Sequence, residues 1–113
     1  MMARARRFEV RDCTDGATHR LAVEGELDLA TVPVLANSVA DRLGTSPTNL
    51  TLDLSEVTFM DSSGLRMLIE LSERARQEHW ELTLLASRHE GANAVLRMTG
   101  ADTALPFGTP PLS

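Results

Sequence analysis

Leu50-Thr51-Leu52-Asp53-Leu54-Ser55-Glu56-Val57-Thr58-Phe59-Met60-Asp61-Ser62-Ser63-Gly64-Leu65-Arg66-Met67 carries two hydrophobic periods in one run. Leu50, Leu52 and Leu54 alternate with Thr51, Asp53 and Ser55, the period of a strand with one buried face. Beyond Gly64 the period lengthens, and Leu65, Leu68, Ile69, Ser72 and Ala75 or Arg76 fall at helical spacing. Asp61, Ser62, Ser63 and Gly64 lie at the joint. The segment reads as a strand, a tight turn and a helix, with two serine hydroxyls at the helix N-terminus. Chemistry is expected there.

Working outward, Phe8 to Asp12 alternates as a first strand, Thr14-Asp15-Gly16 signals a hairpin, and Arg20 to Glu24 makes the return strand. Gly25-Glu26-Leu27-Asp28 is expected to break that strand. A helix should begin near Thr31, with Pro33 tolerated in its opening turn, an apolar stripe of Val32, Leu35, Val39 and Leu43, and a stop at Gly44. Thr45 to Thr48 reads as a loop. Downstream, Glu81 to Leu85 has strand character, Ser87 to Gly91 reads as a loop, and Ala92 to Met98 as a short helix with Val95, Leu96 and Met98 as its apolar positions. Thr99-Gly100 ends that helix, and Leu105-Pro106-Phe107 adds at most a short edge strand.

The element order is β-β-α-β-α-β-α-β. It predicts an α/β fold with a single-layer mixed β-sheet, an N-terminal hairpin followed by parallel strands, and helices mainly on one face. One domain is expected over residues 8–107. Residues 1–7 and 108–113 are expected to be flexible tails, since Gly108 to Ser113 holds two prolines and a glycine.

The composition narrows the function. With 42% hydrophobic and 24% charged residues, the 113-residue chain is not of a disordered class. Its net charge is −5 and all eleven basic residues are arginine, with no basic stripe, which argues against nucleic acid as a ligand. Cys13 is alone, so neither an internal disulfide nor a thiol metal cluster is expected, and His19, His79 and His89 are not at ligand spacing. No cofactor is expected. The basic start lacks the apolar core of a signal peptide and no apolar run has transmembrane length, so the expected location is cytoplasmic, without membrane contact.

A serine on a strand-to-helix turn also suits the nucleophile elbow of hydrolases. That motif needs glycines flanking the serine, where Met60 and Asp61 stand before Ser62, and a histidine base that the sequence gives no reason to bring near. The chain reads as a non-enzyme. Taken alone, Ser62 or Ser63 would simply cap the helix.

From Phe8 to Phe107 the sequence resembles the STAS domain family, in its free-standing form as a bacterial anti-sigma factor antagonist. Gly25-Glu26-Leu27-Asp28 looks like the family's loop after the second strand. Leu52-Asp53-Leu54-Ser55, Val57 and Phe59-Met60-Asp61-Ser62-Ser63-Gly64-Leu65 look like its phosphorylation segment, and Met98-Thr99-Gly100 like the turn after its third helix. The resemblance implies that a partner anti-sigma factor with serine kinase activity phosphorylates Ser62. The unphosphorylated protein would bind that partner and release a sigma factor, phosphate would break the complex, and a serine phosphatase would restore it. Ser63 then becomes the expected cap, with Asp61 either a second cap or a group that orients the acceptor serine and contacts the kinase, and Asp28, Glu26, Asp61, Ser63, Gly64 and Arg66 the expected partner-binding residues. Unpaired N–H groups at the helix N-terminus should help the fold tolerate the phosphate, with the Asp61 charge offsetting part of that gain. The alternative within the family is a subunit of a lipid-transport or stress-sensing complex without such a switch. Family members usually carry a further helix where Gly108 to Ser113 stands, so an open sheet edge is expected, in a monomer or weak dimer.

Overall fold

The computed structural model describes residues 8–16, 18–44 and 49–108. The expected tails (apart from Gly108) and the Thr45–Thr48 loop lie outside them. In chain order the elements are β1 (Glu9–Asp12), β2 (His19–Leu27), α1 (Val32–Leu43), β3 (Leu50–Met60), α2 (Ser62–Glu78), β4 (Leu82–Leu85), α3 (Glu90–Thr99), α4 (Ala101–Ala104) and β5 (Phe107–Gly108). One five-stranded sheet runs in the order β1-β2-β3-β4-β5, with β1 antiparallel to β2 and the remaining pairs parallel.

The alternation in β3 decides how the layers stack. Leu50, Leu52 and Leu54 are buried, as are Leu21 and Val23 of β2 and Leu82 and Leu84 of β4. They form one core with Leu35, Val39 and Leu43 of α1, Leu65, Leu68, Leu71 and Ala75 of α2, and Ala92 and Leu96 of α3. Each parallel crossover moves one strand further in the same direction, and right-handed crossovers then place every helix on the same face. The mixed sheet with its helices on one face agrees with the expectation.

Several boundaries differ. Gly25 does not break β2. At φ +108 it sits within a register shift between Gly25 and Glu26, a bulge that only glycine accommodates readily, and pairing with β3 resumes at Glu26↔Phe59 and Leu27↔Met60. Glu26 therefore stands on a strand. On α2, Leu71 carries the stripe, whereas Ile69 is 44% exposed. On α3, Met98 is 84% exposed. That helix starts at Glu90, inside the expected loop, with the buried Ser87 hydroxyl donating to the Val57 carbonyl (2.6 Å) and accepting from the His89 N–H (2.9 Å). The single turn of α4 was not foreseen, and Gly108 pairs with Leu85 at the end of β5 instead of belonging to a tail. His79 ends α2 in a left-handed conformation and Trp80 packs into the core.

The sheet's other face is polar. Arg20 donates to the Asp53 carboxylate (3.0 Å), which also accepts from the Ser55 N–H (3.0 Å). Burial pushes the Asp53 carboxyl up, but the hydrogen bonds from Ser55 and Arg20 outweigh it and hold the group below the usual carboxylate range. The folded state therefore binds this proton less readily than the unfolded chain. The stabilisation is complete above the unfolded value and is lost as pH falls through the folded one, below about pH 4. Asp53→Asn is expected to flatten the fall in melting temperature between neutral pH and about pH 3, relative to the wild-type protein, in thermal melts.

Candidate functional site

The first turn of α2 is capped by Asp61. Its backbone is extended, and its Oδ1 accepts from the N–H groups of Ser63 (2.9 Å) and Gly64 (3.3 Å), while its carbonyl accepts from the Leu65 N–H (3.1 Å). Of the two expected capping residues Asp61 makes the bonds, and the expectation for Ser63 is corrected. An aspartate just before the helix reaches two otherwise unpaired donors and places its charge at the positive end of the helix dipole. Ser62 becomes the first helical residue, exposed, with no hydrogen bond from its hydroxyl to another described residue. A phosphate there would also find the Ser63 and Gly64 donors already engaged, which revises how the helix end can receive it. Asp61→Ala is expected to cost about 1 kcal/mol of stability in urea titrations, with Asp61→Asn close to wild type.

Gly64 has a steric role. A Cβ at that position would stand 2.8 Å from Met60 Cγ, 2.9 Å from the Leu27 carbonyl oxygen and 3.0 Å from Leu27 Cγ. The start of α2 is thereby pressed onto the end of β2, where the Asp61 N–H donates to the Leu27 carbonyl (3.3 Å). This close approach brings Ser62 beside the loop that joins β2 to α1.

That loop is built by Asp28 and Thr31. Asp28 Oδ1 accepts from the N–H groups of Ala30 (3.0 Å) and Thr31 (3.1 Å). Thr31 Oγ1 accepts from the Asp28 N–H (2.9 Å) and donates to the Glu26 carbonyl (2.7 Å). Such aspartate and threonine bonds are the usual device for setting a turn before a helix. Leu29, between them, is left 75% exposed.

Leu29, Val32 and Ala36 on one side and Ser62, Ser63, Arg66, Met67 and Glu70 on the other line an open groove of about 450 Å³. Of the residues singled out in the sequence, the groove brings together Ser62, Ser63 and Arg66. Asp61 and Gly64 set the helix start, and Asp28 shapes the loop. Glu26 lies on β2 opposite Phe59 and does not line the groove. Sequence reasoning missed the apolar wall of Leu29, Val32 and Met67. Leu29 was the available signal, an apolar side chain between Asp28 and Ala30 in a turn. No histidine lines the groove, so the lining holds no imidazole base for Ser62. The arrangement offers an accessible hydroxyl on a surface of mixed apolar and charged character, suited to modification by another protein.

Among the described residues, no helix is long and apolar enough to cross a membrane. A family model described as "Mlab, STAS domain" matches residues 10–107. The anti-sigma-F factor antagonist RsfB of Mycobacterium tuberculosis is 39% identical over 57 residues, which is 50% of this chain and 47% of that protein. The chain thus matches about half the length of this curated relative. Among solved structures, an anti-sigma factor antagonist from Mycobacterium paratuberculosis superposes with a TM-score of 0.74 at 28% identity, over 96% of this chain and 88% of that one. The anti-sigma factor antagonist SpoIIAA in its unphosphorylated form shares the fold, with a TM-score of 0.68 at 17% identity over 94% of this chain and 90% of that one. By the extent of the family match, and with anti-sigma factor antagonists as its relatives in sequence and fold, this chain belongs to the STAS domain family.

Proposed function

We propose that this protein is an anti-sigma factor antagonist switched by phosphorylation of Ser62, with residues 8–107 as the working domain. The observation that carries this reading is the exposed Ser62 hydroxyl, free of hydrogen bonds to other described residues, at the rim of a groove with an apolar wall. Unphosphorylated protein binds an anti-sigma factor that is also a serine kinase, over Leu29, Ser63, Arg66 and the groove between them, and so frees the sigma factor. In the switching step the bond between the γ-phosphorus of ATP and its bridging oxygen breaks, a bond to Ser62 Oγ forms, ADP leaves, and the hydroxyl proton passes to the kinase or solvent. A serine phosphatase reverses the step by hydrolysis. The chain acts in the cytoplasm, catalyses nothing itself, and needs neither cofactor, membrane nor nucleic acid. Asp28, Glu26, Asp61 and Gly64 support or flank the docking surface.

The test is to incubate the protein and ATP with a candidate anti-sigma factor, a histidine-kinase-like ATPase from the same genome, then map the product by mass spectrometry. A single phosphate on Ser62, abolished by Ser62→Ala, is the expected result. No transfer to the wild-type protein, or undiminished transfer to Ser62→Ala, defeats the assignment and favours a subunit of a lipid-transport or stress-sensing complex without the switch.

A further inference from the structure

We propose that Arg66 is the intramolecular partner of the phosphate on Ser62, drawn onto it along one face of α2. The inference rests on the reading of Ser62 as the acceptor and adds what receives the new charge. Ser62 and Arg66 are four residues apart on the same helix, a spacing that sets side chains about 6 Å apart at Cβ. Both are exposed and both line the groove, where Arg66 is the only cation among the described lining residues. Arg66 forms no ion pair with any described residue.

The helix end supplies little, since of its open N–H groups only that of Ser62 lacks an acceptor among the described residues. Asp61 already holds the N–H groups of Ser63 and Gly64, and its carboxylate adjoins the position the phosphate would take. The added charge of about −1.5 to −2 is therefore largely open to a side-chain partner, and a guanidinium one turn along offers planar paired donors for phosphate oxygens. Glu70, four residues beyond Arg66, is the competitor. Helix geometry favours an anion on the N-terminal side of its cation over the reverse order, so phospho-Ser62 with Arg66 is the preferred arrangement and Arg66 with Glu70 the weaker one. Phosphorylation then does two things to the docking surface. It adds bulk and negative charge, and it withdraws the groove's cation from any partner.

The test uses full-length protein carrying phosphoserine at position 62 by genetic encoding, so the outcome does not depend on any kinase. The second ionisation of the phosphate is followed by 31P NMR in the wild type, Arg66→Gln and Arg66→Lys. The wild-type phosphate is expected to ionise at a pH lower by about half a unit than in Arg66→Gln, with most of the shift retained in Arg66→Lys and a smaller shift at high salt. Equal midpoints in wild type and Arg66→Gln overturn the proposal. A kinase that leaves Ser62 unmodified would defeat the switch reading without moving this titration, so the two failures are told apart.

Discussion

Phosphate on Ser62 is expected to weaken binding to the anti-sigma partner by roughly a hundredfold or more, because a like charge or a lost cation at a docking surface costs several kcal/mol and each 1.4 kcal/mol is about tenfold. The melting temperature is expected to move by only about 2 °C. Ser62 is exposed, its hydroxyl makes no hydrogen bond to a described residue that would be lost, and the cap that holds α2 is made by Asp61. The modification therefore changes the surface and leaves the packing alone. Calorimetric melts of the phosphorylated and unmodified proteins check this half of the account, and a fall of ten degrees or so would mean that the switch works by loosening the fold.

A large effect on stability is expected from Gly64→Ala. The new methyl group would meet the Leu27 backbone carbonyl at 2.9 Å and two side chains at 3.0 Å or less, and the carbonyl cannot swing away because β2 is paired with β3 up to Leu27. Forcing an extra carbon into such a contact costs about 1–3 kcal/mol, and alanine's better helix propensity returns less than 1 kcal/mol of it. A net loss of about 1–2 kcal/mol should lower the melting temperature by about 4–8 °C in a domain of this size. Phosphoryl transfer to Ser62 should slow as well, since the substitution pushes the acceptor away from Leu29. A variant that melts with the wild type would show that α2 does not rest on β2 as closely as described. Gly91→Ala is the companion case, because its Cβ would stand 2.5 Å from the Thr58 carbonyl oxygen.

The fold was largely legible in the sequence because its periods are clean. The alternation of Leu50, Leu52 and Leu54, followed by the helical spacing from Leu65, marked the central strand and helix, and the Thr14-Asp15-Gly16 turn marked the hairpin. What escaped reading had weak local signals. Gly25 was read as a strand breaker because glycine marks bulges and breaks alike, and only the length of β3 beside it decides between them. The one-turn α4 is too short to show a period. Met98 and Ile69 are apolar and near the buried stripe, yet solvent-exposed, and pattern alone does not separate a stripe from its margin.

The site was legible in its residue types and less so in their roles. Asp61, Ser62, Ser63 and Gly64 were recognised together, but the choice of cap depends on which side chain reaches the free N–H groups, a matter of backbone geometry. Gly64 could be explained only once the distance to Leu27 was known. The groove was invisible because its two walls come from separate elements, brought together by the contact of α2 with the end of β2.

The most direct test of the central claim is an isothermal titration of the anti-sigma factor that accepts this protein as its substrate into three proteins: wild type, Ser62→Ala and the form carrying phosphoserine at position 62. Near-equal affinities for wild type and Ser62→Ala, with a loss of roughly a hundredfold or more for the phosphorylated form, are the predicted result. Equal binding by all three would contradict the account.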